Sequence, residues 1–170
     1  MSDGWHPAHL LGRVLSMKSD AHGILVKPKE MKIYWSSDHT WNMKLSQIGR
    51  PSQIDRNLYI ATYSIPDLDY VVEVLAHRPT GRNVFLMAHS KFYSKAIQLL
   101  NHFRDLRIRL HPAMHSKFAI VEPETVFLGS ANFGRSKWHE TMIGIKDRTI
   151  AQSLYLNTWA PAWRESTPPS

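Results

Sequence analysis

His115 and Lys117 stand two residues apart in the segment Met-His-Ser-Lys-Phe-Ala-Ile-Val at 114–121, and Gly129-Ser130-Ala131-Asn132 follows shortly after. An imidazole is a nucleophile near neutral pH, and an ammonium is a fixed cation. A hydroxyl and an amide add neutral donors. If 114–122 is a strand, its side chains alternate between two faces. His115 and Lys117 then share one face, while Phe118, Ile120 and Glu122 take the other. A turn at Pro123-Glu124 and a second strand over 125–130 return the chain to the same end, where Gly129 permits close backbone approach. A nucleophilic nitrogen, a cation and two neutral donors gathered at strand ends suit a phosphate.

The elements that must position these groups alternate between strand and helix. Lys32–Trp35 is expected to be a strand, with Ser36-Ser37-Asp38 able to cap a following helix. The run Leu58–Ile65 is β-prone without polar interruption, as for a strand buried on both faces. Pro66-Asp67 opens a helix over 68–76, with Leu68, Val71, Val72 and Leu75 on one side. A strand over 83–87 precedes a longer helix over 90–104. The alternating Leu106–Leu110, then 114–122, 125–130 and 141–146, complete the strands, and a helix over 148–158 follows. The fold class predicted is α/β, with a mixed β-sheet flanked by helices on both faces. Residues 1–30 are expected to form an N-terminal extension with a short helix over 7–19. Residues 31–163 would be the catalytic domain, and 164–170, with Pro168-Pro169, a disordered tail.

The pattern His115-x-Lys117 with Gly129-Ser130-x-Asn132 resembles the HKD signature of the phospholipase D superfamily, closest in type to its small metal-independent endonucleases. Tyr59–Ile65 and Val84–Met87 resemble two of the family's buried strands. His139–Ile143 resembles the segment that carries its supporting acidic residue, here Glu140. The resemblance covers about 31–160. Two positions depart from it: Glu122 occupies the aspartate position, and His89 stands where relatives often have an acid. By strand parity Glu122 faces away from His115 and Lys117, so a structural role is expected for it.

The resemblance implies a phospholipase D-like fold and a two-step phosphodiester cleavage without metal or cofactor. His115 would attack phosphorus to form a phosphohistidine. Lys117, Asn132 and Ser130 would hold the non-bridging oxygens, and Glu140 would accept from the far ring nitrogen of His115. A single HKD copy implies a homodimer whose active site lies on the two-fold axis, with the second His115 as general acid.

Composition narrows the alternatives. The chain has 170 residues and no cysteine, so disulfides, thiolate zinc sites and cysteine nucleophiles are excluded. No stretch approaches the length of a membrane span, and the N-terminus lacks a basic segment followed by an apolar one, so a cytoplasmic location is expected. The formal charge is +7. Cations number ten against eight acids in residues 1–85, and eleven against six in 86–170, so most of the excess lies with the motif. That balance fits a polyanion. Arg135, Lys137 and Trp138, directly after the motif, are candidates for contacting the substrate beside the scissile bond. Lys91, Lys95, Arg104, Arg107 and Arg109 fit a solvated face equally well. His111 and His139 are left outside the catalytic set. A nuclease acting on DNA or RNA is the first reading. A phospholipase acting on an anionic, cardiolipin-like lipid is the second, and a silent nucleic-acid-binding module is the third.

Overall fold

The computed structural model describes residues 30–36, 56–76, 78, 83–134 and 140–170, with 32–36 by their backbone alone. The expected N-terminal helix, the cap at Ser37-Asp38, and Arg135, Lys137 and Trp138 lie outside the described residues.

Strand β2 (Leu58–Thr62) explains the architecture, because all five of its residues are buried. Leu58 and Ile60 pack on one face, among Val71, Val74 and Leu75 of α1 (Leu68–Leu75) and Ala96 and Leu99 of α2 (Tyr93–His102). Tyr59 and Ala61 pack on the other, among Ala151 of α3 (Arg148–Leu154), Trp159, and Trp163 of α4 (Ala160–Glu165). A strand covered on both sides needs no polar alternation, so the apolar run is continuous.

The sheet has seven strands. Completing it are β1 (Glu30–Ser36), β3 (Val84–His89), β4 (Arg107–His111), β5 (Phe118–Val121), β6 (Thr125–Gly129) and β7 (Glu140–Lys146), in the order β1-β7-β6-β5-β2-β3-β4. The pairs β2–β3 and β3–β4 are parallel, and all others are antiparallel. Helices α1 and α2 are the two parallel crossovers. Both steps move the same way across the sheet, so a common handedness puts both helices on one face. Asp67 opens α1 by accepting from the Tyr70 amide at 3.1 Å. Asp147 does the same for α3, accepting from Thr149 and Ile150.

A π-turn, Tyr155–Trp159, joins α3 to α4. Trp159 is 2% exposed, its ring 5.3 Å from Trp163 and 5.6 Å from Tyr59. Burying such a ring contributes on the order of 3 kcal/mol. Nearby, the Tyr59 hydroxyl donates to Glu122 at 2.9 Å. Burial, then the hydrogen bond and charge of Glu122, push that phenol above its ordinary pKa, so it remains a donor. Glu122 thus has a structural partner.

Three expectations need correction. Strand β5 begins at Phe118, not 114. After β4 the chain turns at Pro112, where His111 Nδ1 accepts from the Ala113 amide and the His111 carbonyl from Met114. Residues 114–117 therefore run irregularly into the strand, and strand parity does not place His115 and Lys117. The expected helix at 90 opens instead as a 3-10 turn, Ser90–Phe92.

The tail is not disordered. Thr167 and Leu110 exchange backbone hydrogen bonds of 3.0 and 2.7 Å, and Ser166 is 2% exposed. Strand β4 ends the sheet, and its outward amides and carbonyls take up the segment despite its prolines.

Candidate active site

Strand direction decides where the candidate residues meet. Parallel β2 and β3 end at one pole of the sheet; β5 runs against β2 and so begins there. Antiparallel pairing makes β6 end, and β7 begin, at the same pole. His115 and Lys117 on the approach to β5, Gly129–Asn132 at the exit of β6, and Glu140 at the start of β7 therefore share one end.

The loops at this pole are tied to one another. Thr62, fully buried, accepts from the Phe133 amide through Oγ1 and donates to the Ser64 carbonyl, both at 2.8 Å. The Asn132 side-chain oxygen accepts from the Ser64 amide at 3.2 Å, so the amide nitrogen is its donor end. Thr62→Val keeps the volume but leaves the Phe133 amide and Ser64 carbonyl without this partner. It is expected to cost about 1–3 kcal/mol in chemical denaturation, with the slope unchanged. Wild-type stability would contradict this account of the loop.

Ser130 is bound on both sides. Its backbone amide donates to the Thr141 carbonyl at 3.1 Å, its Oγ accepts from the Thr141 amide at 3.1 Å, and its hydroxyl donates to the Glu140 carboxylate. The family resemblance implies Ser130 on substrate oxygens and Glu140 on His115. Here these two side chains meet each other, fastening β6 to β7.

His115 is exposed, and Lys117 is partly exposed, donating from Nζ to the His115 carbonyl at 3.0 Å. The Lys117 carbonyl accepts from the Gly129 amide at 3.2 Å, anchoring the irregular segment on β6. The His115 ring lies 4.9 Å from that of Tyr63, the residue after β2. Around Tyr63 stand groups that sequence reasoning did not join to the site. The His89 ring is at 5.3 Å, Lys91 Nζ is 4.2 Å above the Tyr63 ring and donates to its hydroxyl, and Lys117 Nζ is at 5.7 Å. His89 Nδ1 accepts from the Lys91 amide at 3.1 Å, capping the 3-10 turn. Only the pairing of distant strands reveals these neighbours, and no local pattern signals them.

His111, paired with His89 in the ladder at the end of β4, has its Nε2 3.6 Å from Glu165 of α4. Among the described residues, no group of three or more His, Asp or Glu could hold a metal ion. A cleft of about 510 Å3, lined by Tyr59, Ile120, Glu122, Arg148 and Tyr155 among others, opens at the opposite pole. Chemically, the first pole offers an exposed imidazole, ammonium groups, an amide donor and a carboxylate. That set can bind a phosphate and attack it.

A family model described as cardiolipin synthase, PLD-like domain, matches residues 46–157. Among solved structures, Nuc from Salmonella typhimurium, a phospholipase D family member, is similar with a TM-score of 0.57. Its sequence identity is 17%, over 82% of this chain and 98% of that one. NucT from Helicobacter pylori gives 0.59 at 18% identity, over 82% of this chain and 99% of that one. The archaeal chromatin protein TrmBL2, described as having a novel mode of DNA binding, gives 0.56 at 12% identity, over 94% of this chain and 59% of that one. No curated protein matches the chain. At these identities the structural likeness speaks for the fold.

Proposed function

Since the chain belongs to the family of PLD-like domains, we propose that it hydrolyses phosphodiesters as a nuclease, through a phosphohistidine formed on His115. The observation that carries this reading is the convergence of His115, Lys117, Asn132 and Glu140, drawn from separate elements, on one pole of the sheet.

In the first step the His115 nitrogen attacks phosphorus, and the P–O bond to the leaving group breaks. The leaving oxygen takes a proton from the His115 of a second subunit. That second imidazole, now neutral, accepts a proton from water as the water oxygen attacks phosphorus. The N–P bond then breaks and His115 is regenerated. Lys117 and the Asn132 amide nitrogen neutralise and hold the non-bridging oxygens as charge develops. In the resting arrangement Glu140 holds Ser130. For it to orient His115, that carboxylate must serve both groups or exchange one for the other. Arg135, Lys137 and Trp138 complete the proposal as contacts to the flanking substrate.

One substrate panel tests this function. Single- and double-stranded DNA, RNA and cardiolipin-containing vesicles are incubated with the protein in excess EDTA. Cleavage of nucleic acid is the expected result. Cleavage of vesicles alone establishes the phospholipase reading, whose lipid class the family description names. Binding of DNA without cleavage establishes the silent module, which the likeness to TrmBL2 favours.

The shared site has its own test. Wild-type and His115→Ala chains are co-refolded in equal amounts. Both histidines are needed in each dimer, so activity falls to about one quarter of that of the same total amount of wild type. One half, the result for independent subunits, overturns the shared site.

A further inference from the structure

We propose that Lys91, held on Tyr63 and the His89-capped turn, is a second phosphate subsite that takes the phosphate next to the scissile one. The site would then select a phosphodiester chain over an isolated diester. This deepens the nuclease reading and rests on it.

Lys91 and Lys117 approach the same aromatic ring from different elements. Their nitrogens lie 4.2 and 5.7 Å from the Tyr63 centroid, which puts them less than about 10 Å apart. That is comparable with the Debye length of about 8–10 Å near physiological salt, so the two charges act together on an anion. Among the described residues no carboxylate pairs with either, unlike Lys146, which pairs with Glu124. Their hydrogen-bond partners, the Tyr63 hydroxyl and the His115 carbonyl, are neutral. Two neighbouring cations with no carboxylate paired to either among the described residues repel each other, and two bound phosphates would relieve that repulsion.

The cations are also distinct in placement. Lys117 is bonded to the backbone of His115 and goes with the phosphate under attack. Lys91 rests against Tyr63 and Phe92, on a turn beyond β3, and so serves a neighbouring group. A nucleic-acid strand repeats its charge at every nucleotide and presents one there. The lysine is exposed yet held in place by ring contacts, the phenol bond and the capped turn, which reduces the entropy lost on binding.

His89 now has a physical role. A carboxylate at this position would also accept from the Lys91 amide. It would add a negative charge beside both lysines, and the imidazole caps the turn through Nδ1 without one.

The test compares kcat/KM for a trinucleoside diphosphate and a dinucleoside monophosphate. Wild type is expected to prefer the longer substrate by roughly tenfold, beyond the statistical factor of two. Lys91→Gln should reduce that preference to about twofold, and Lys91→Arg should retain it. His89→Asp, which keeps the cap and adds charge, should lower the preference part of the way. No preference in wild type, full preference in Lys91→Gln, or a stronger one in His89→Asp overturns the subsite and leaves the nuclease reading standing. If neither is cleaved, polymeric DNA and RNA decide: when they too are left intact the nuclease reading fails and the subsite with it, and when they alone are cleaved a subsite for one neighbouring phosphate is overturned.

Discussion

His115→Ala is expected to lower phosphodiester cleavage by at least about a thousandfold, because it removes the proposed nucleophile and, in a dimer, the general acid as well. The side chain is exposed and its ring lies tilted against that of Tyr63, so stability should change by less than about 1 kcal/mol. Loss of activity with an unaltered unfolding midpoint is therefore the expected pair of results. A chemical trap separates nucleophile from bystander. Substrate labelled at the scissile phosphate, quenched in alkali where a phosphohistidine survives, should leave label on wild type and none on His115→Ala. Cleavage by the variant, or label on both proteins, would remove His115 from the first step.

Gly129→Ala is expected to do its damage through the fold. A methyl group at Gly129 would sit 2.5 Å from the Thr141 carbonyl oxygen and 3.2 Å from Met142 Cα, both backbone atoms of β7. Gly129 pairs with Met142 in the ladder, so neither strand can yield without losing register. Overpacking of this kind costs about 3 kcal/mol, a large share of the roughly 5–15 kcal/mol that holds a domain together. The displaced strands carry Ser130, Asn132 and Glu140. A misplacement near 1 Å can cost about a hundredfold in rate. Denaturant unfolding should show a lower midpoint with the same slope, and kcat should fall in protein that remains folded. Wild-type stability and kcat together would show that β6 and β7 do not meet as closely as described.

Much of this arrangement was legible in the sequence, for reasons specific to each segment. The apolar run from Leu58 announced a strand buried on both faces, and Asp67 announced the start of a helix through its own side chain. The residue types and spacing from His115 to Asn132 pointed to phosphate chemistry without any structure. What escaped was set by contacts between distant segments. Residues 114–117 look like the first half of a strand, but the turn at Pro112 and the anchoring of the Lys117 carbonyl on Gly129 hold them in irregular form. Tyr63 reads as part of the buried run Leu58–Ile65, and its place beside His115 follows from the pairing of β2 with β5. The prolines of the tail signal disorder locally, and only the open edge of β4 explains why Thr167 is ordered.

The antiparallel seam between β2 and β5 also bears on how the protein acquires its chemistry over time. Ala61 is paired with Phe118, and Ser64 with Asn132, so each join closes a loop of more than fifty residues. Such contacts form late, after local helices and turns, because their loop entropy must be overcome first. A chain opened along this seam therefore holds His115 and Asn132, together on the β5–β6 hairpin, apart from Tyr63, Ser64, His89 and Lys91. The proposed site is completed only with the closing of the central sheet.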